Sequence, residues 1–253
     1  MLYKKENKIA DLDKITYEDF LKLQKIFKDN KKSKNGKDSY PYSEMTDTKL
    51  EKLVDIEQKI NHSKFDKWFN NSIILDEKIS IFLDELLKKE GDYIDIYDEE
   101  DLKMKFLSPI FVDINFKNEN FRDFYDHKLT YEADKFIFNG KTDFVISTGL
   151  RRPKKPYFFI QEFKRREKDG FPRPQLIAEL ISAVELNSWK NIKGAYLVGE
   201  IWNFVILEKL GKDKYQYYIS KNFDSSDIVG LKNIYKNLLF IKDEVIKMVD
   251  AGI

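Results

Sequence analysis

Polar and apolar residues change their period near the middle of the chain. Before about residue 116, apolar positions recur three and four apart, the spacing of an amphipathic helix. Helices are predicted over 15–28, 46–60 and 76–91, the first two separated by "KDNKKSKNGKDSYPYSE", a polar, breaker-rich stretch that reads as a mobile loop. In the third helix acidic residues come early and lysines late, and Gly91 stands where a C-terminal cap belongs. A fourth helix is expected over 97–116. Asp98 caps it, Leu102, Phe106 and Ile110 repeat at helical spacing, and Pro109 should kink or end it.

From about residue 128 the period shortens. "LTYEADKFIFNGKTDFVIS" contains two strand-like runs around Asn139-Gly140, a pair favoured in tight hairpin turns because both residues tolerate positive φ. "YFFIQEFKR" (157–165) is a third strand. A helix over 174–187 follows, with Pro174 in its first turn and Leu176, Ile177, Leu180, Ile181 and Val184 along one stripe. "GAYLVG", "WNFVILEK" and "YQYYIS" read as three more strands, and residues 225–249 as a long amphipathic helix. The expected architecture is α/β, with a mostly helical extension over 1–95 and a domain over 96–253. No internal repeat is present.

Composition narrows the chemistry. The chain has 253 residues, 42% hydrophobic and 15% aromatic, enough apolar area for a substantial core. Its 45 Lys and Arg nearly balance 44 Asp and Glu, so any polyanion-binding patch must be local. The absence of cysteine excludes disulfides, thiolate metal sites and a cysteine nucleophile, and fits a reducing, cytoplasmic address. No apolar run suggests a membrane span or a signal peptide, so no membrane partner is expected. His62 and His127 belong to no H-E-x-x-H pattern, and no phosphate loop of the G-x-x-x-x-G-K-(S/T) kind occurs.

Within "YFFIQEFKR", alternation puts Phe158, Ile160, Glu162 and Lys164 on one face and Phe159, Gln161 and Phe163 on the other. Taken alone, Glu162 and Lys164 make an ion pair at a strand end. An antiparallel neighbour starting "DFVIS" would bring Asp143 beside Glu162. Two such carboxylates repel unless a cation neutralises them, and oxygen-only ligation points to Mg²⁺ or Mn²⁺.

Asp143 followed 19 positions later by Glu162-Phe163-Lys164 resembles the D…(D/E)-x-K signature of the PD-(D/E)xK nuclease superfamily, with Thr142 in place of its proline. The resemblance implies a restriction-endonuclease-like fold, a central mixed sheet flanked by helices in the order α-β-β-β-α-β. "DEEDLKMKFLSPI" is also similar to the E-x-(D/E)-x-(R/K) helix opening the nuclease domain of type I restriction R subunits. That likeness implies Glu99 as an accessory carboxylate; complementation of the helix dipole explains the same acidic run. More narrowly, residues 97–245 resemble a widespread bacterial family with segments like "PKKP-F---E-K".

By this resemblance the protein is a metal-dependent nuclease acting on nucleic acid, with DNA ahead of RNA. Asp143, Glu162 and the backbone carbonyl of Phe163 would hold Mg²⁺ or Mn²⁺. Lys164 would orient the attacking water or stabilise developing charge, or act as a neutral base. Gln175 would face the site; with Glu179 and Ser182 it forms a polar stripe that an ordinary solvated face also explains. Residues 149–173 hold nine basic and three acidic residues, a net +6. Arg151, Arg152, Lys154, Lys155, Arg165, Arg166, Lys168 and Arg173 are accordingly the candidate phosphate contacts, against a solvated loop as the plain alternative. A catalytically inactive binding module on the same fold is the rival function, and the N-terminal helices are candidates for homodimer or partner contacts.

Overall fold

A computed structural model of the chain describes residues 16–18, 21, 36–164 and 172–252. Apart from four residues, the helix expected over 15–28 lies outside this set, as do Arg165, Arg166 and Lys168.

The described chain builds one mixed nine-stranded sheet with helices on both faces. Its elements are β1 (Asp38–Pro41), α1 (Asp47–Leu53), β2 (Asp55–Lys59), α2 (Asp66–Phe69), α3 (Glu77–Glu90), α4 (Glu99–Asp101) and α5 (Ser108–Ile114). There follow β3 (Phe121–Glu132), β4 (Phe136–Thr148), β5 (Lys154–Lys164), α6 (Pro172–Asn187), β6 (Asn191–Val198), β7 (Ile201–Gly211), β8 (Lys214–Ile219), β9 (Phe223–Asp224) and α7 (Ile228–Asp250). Strands run β1-β4-β5-β6-β7-β8-β2, with β3 also on β4 and β9 on β7. β3, β4 and β5 are antiparallel, and α6 crosses over so that β6 returns parallel to β5. Such a crossover needs a helix because parallel neighbours cannot be joined by a tight turn.

Two cores follow from side-chain alternation. One face holds Phe106, Ile110, Phe111, Phe144, Phe159, Phe163 and Trp202 beneath α5 and α7. The other holds Tyr42, Val145, Ile160 and Val205 beneath α6. α6 is buried at every position from Pro174 to Val184, so its polar stripe faces protein and not solvent. Gly194 of β6 seats it: a Cβ there would lie 2.8 Å from the Ile160 carbonyl oxygen and 3.0 Å from Leu180 Cδ2.

Several local expectations change. Helix 46–60 divides into α1 and β2, because Val54 is extended and β2 pairs in parallel with β8. The polar stretch over 28–44 ends as β1, parallel to β4, with Tyr42 buried. Two segments expected in a helical extension are therefore strands of the main sheet. Gly91 is the C-cap of α3 as expected, its N–H donating to the Leu87 carbonyl, but it stays right-handed and opens a 3₁₀ turn, Gly91–Ile96. Asn139 and Gly140 lie inside β4, and the β3–β4 connection falls at 133–135. Gly140 is required for another reason: its φ is +154°, and a Cβ would stand 2.7 Å from Tyr42 Cδ2.

The fourth helix starts as predicted, Asp98 accepting from the Asp101 N–H at 2.8 Å. Before Pro109 it widens into a π-helical stretch, Leu102–Leu107, where the Ser108 N–H donates to the Lys103 carbonyl. A proline ring clashes with the carbonyl four residues back, and the wider turn relieves that clash.

Candidate active site

The register sets the site. β1 pairs with β4 as far as Asn139, and β5 takes over on the same edge at Phe144, so residues 140–143 lie between two partners. Asp143 is in this gap, opposite Glu162 by continuation of the ladder. Its backbone N–H donates to Glu162 Oε1 at 3.2 Å, and the Phe163 N–H donates to Asp143 Oδ2 at 2.9 Å. A residue's N–H and C=O leave a strand on the same edge, so the Phe163 carbonyl faces the β4 side, as its N–H does.

Helices from both faces converge here. From α6, Gln175 Nε2 donates to Glu162 Oε2 at 2.7 Å and to Glu179 Oε1 at 3.3 Å. Ser182, one turn on, accepts from the buried Tyr42 hydroxyl at 2.8 Å, tying α6 to the segment after β1. From the opposite face, Lys103 Nζ lies 2.8 Å from Glu99 Oε1 and 3.1 Å from Asp143 Oδ1. Lys164 Nζ reaches the other oxygen of Glu99, Oε2, at 3.6 Å. Asp143, Glu162, Lys164, Glu99 and Gln175 are thus brought together from four elements.

Phe158 is not. A bulge between β4 and β5 turns Phe158 to the same core as Phe159 and Phe163, while Glu162 faces α6.

Glu162 and Glu179 are wholly buried, and Glu179 Oε2 has no hydrogen-bond partner. Burial first, then Glu179, pushes the Glu162 carboxyl well above its ordinary range; burial first, then Asp143, does the same to Glu179. Burial alone would lower Lys103, but Asp143 and Glu99 outweigh it and hold the ammonium above the usual lysine value.

The basic residues divide. Arg151, Arg152, Lys154 and Lys155 are exposed at the far end of β5, and seven residues from Lys155 to Glu162 span roughly 20 Å at ~3.3 Å per residue. Positive charge from that loop does not flank the carboxylates. Arg173 lies at the near end, on the first turn of α6, but pairs with Asp47. Among the described residues, the basic side chains beside the carboxylates are Lys103 and Lys164.

Sequence reasoning missed Lys103, and it gave Glu179 no role beyond membership of the polar stripe with Gln175 and Ser182. Lys103 closes the E-x-(D/E)-x-(R/K) pattern, and its i, i+4 spacing from Glu99 was the available signal. Among the described residues, no three or more His, Cys, Asp or Glu side chains form a group that encloses a metal ion unaided. No helix among them is long and apolar enough to cross a membrane. No protein-family model matches the chain, and no curated protein matches it.

Proposed function

We propose that the protein is a divalent-metal-dependent phosphodiesterase acting on nucleic acid, a nuclease of the PD-(D/E)xK type on a restriction-endonuclease-like core. The observation that carries this proposal is the opposition of Asp143 and Glu162 across β4 and β5, with Lys164 two residues beyond Glu162. The order helix, three antiparallel strands, crossover helix and parallel fourth strand supports it.

The donors suit a hard cation. Each oxygen of Asp143 and Glu162 accepts one protein donor, leaving a second lone pair, and the Phe163 carbonyl faces the same strand edge as the N–H that holds Asp143. Two carboxylates and a carbonyl form an incomplete shell, as Mg²⁺ prefers because it retains several waters. Asp143, Glu162 and the Phe163 carbonyl would hold the ion, and Glu99 would reach it through water. When bound, Mg²⁺ or Mn²⁺ supplies Lewis-acid neutralisation of charge on the phosphoryl group.

The chain's own groups do the rest. Gln175 fixes Glu162, and the Phe163 N–H fixes Asp143, so neither carboxylate must reorganise. Lys164, held by Glu99, stands ready to orient the attacking water and stabilise charge as it develops. Cleavage of DNA or RNA in Mg²⁺ or Mn²⁺ tests the proposal. It is abandoned if cutting survives Asp143→Ala, Glu162→Ala and Lys164→Ala.

A binding module without turnover is favoured by one observation: every oxygen of Asp143 and Glu162 already has a protein donor, as a site complete without metal would show. Calorimetry separates the two. Nucleic acid binding with no heat from millimolar Mg²⁺ would select the module.

A further inference from the structure

Asp143 Oδ2 accepts from the Phe163 N–H, and Oδ1 is the oxygen that faces a cation. A cation already holds it, for the Lys103 ammonium lies 3.1 Å away. The same ammonium lies 2.8 Å from Glu99 Oε1 and 3.9 Å from Glu100 Oε1, with the Phe163 ring 5.7 Å beneath it. These are the partners a small metal ion would seek, offered to a side chain instead.

The geometry points to Lys103 as a resident counter-cation that a divalent ion must displace from Asp143 Oδ1. The inference rests on the metal-dependent function proposed above and assigns Lys103 a role in it. Lys103 sits at i+4 from Glu99 on the π-helical stretch, and its side chain is 18% exposed. Its four-carbon stem can carry the charge off Asp143 while keeping Glu99 as its anchor, without moving the backbone. Without metal, Lys103 lowers the repulsion between Glu99 and Asp143. With metal, it becomes a free positive group beside the carboxylates, where a phosphodiester would be placed. Lys103 is in this sense a positioning residue that sets how much divalent ion the site needs.

The test is Mn²⁺ affinity, read by electron paramagnetic resonance on the full chain without nucleic acid. Lys103→Gln should bind about tenfold more tightly than the native protein, since a +2 ion no longer competes with a +1 charge a few ångströms away. Lys103→Arg should stay near the native affinity. In the native protein, chemical methylation of Lys103, read by mass spectrometry, should rise on adding Mn²⁺. Unchanged or weaker binding by Lys103→Gln, with native binding lost in Asp143→Asn, would overturn the inference and leave the metal site standing. If Lys103→Gln does not fold, unchanged methylation of native Lys103 overturns it equally. Absence of Mn²⁺ binding by the native protein would remove the metal site and this inference together.

Discussion

Asp143 and Glu162 are joined by a hydrogen bond from a backbone to a side chain, the N–H of one donating to Oε1 of the other at 3.2 Å. The two carboxylates are therefore placed by strand register, and movement of either strand would part them. With Gln175 as the second donor to Glu162, the pair is held before any ligand arrives.

Replacing Asp143 by Asn, Glu162 by Gln or Lys164 by Met should each lower Mg²⁺-dependent cleavage by about 10²–10³ or more. Gln175→Met, which removes the donor to Glu162 but touches no expected substrate atom, should lower it by about 10–100-fold. Initial rates on a labelled oligonucleotide would check the ranking.

The buried carboxyls make metal-free stability depend on pH. Glu162 and Glu179 are held above their ordinary value of 4.5, so the folded state binds more protons than the unfolded one above that pH. Their contribution is fully present below 4.5 and is lost as pH rises through the folded values. In EDTA, the melting temperature should fall as pH rises from 5 toward 8. Glu179→Gln should flatten the fall and stabilise the protein at pH 8 by about 1–3 kcal/mol.

The exposed loop at the far end of β5 should read substrate length. Replacing Arg151, Arg152, Lys154 and Lys155 together by Ala should weaken binding only for duplexes long enough to cover roughly 20 Å, about six base pairs at ~3.4 Å each. Affinity measured against salt should then show a shallower slope, with cleavage of shorter substrates unchanged.

Gly140→Ala should destabilise the fold by about 2–4 kcal/mol in urea unfolding, through strain at φ +154° and collision with the Tyr42 ring. Tyr42→Phe, which only removes the bond to Ser182, should cost about 1 kcal/mol.

Much of this was legible in the chain. Period 3.6 marked most helices and period 2 most strands, and the Asp143…Glu162-x-Lys164 spacing picked out two carboxylates that the sheet sets opposite each other. The hairpin turn was misplaced because Asn-Gly is a local turn signal, whereas Gly140 is demanded by Tyr42, far away in sequence. α1 and β2 were read as one helix because their pattern fits both periods, and only pairing with β8 selects the strand.

The sequence by itself determined which chemistry is out of reach: with no cysteine, disulfides, thiolate metal sites and a cysteine nucleophile are excluded. It also determined the local elements that carry the carboxylates and lysines. The tertiary structure alone decided which of these meet. It brought Lys103 and Glu99 from one face and Gln175 and Glu179 from the other onto Asp143 and Glu162, and it left Arg151 to Lys155 at the opposite end of β5. The physical reason is that local propensity reaches only a few residues along the chain. Register, crossover and burial on both faces of a sheet depend on partners distant in sequence.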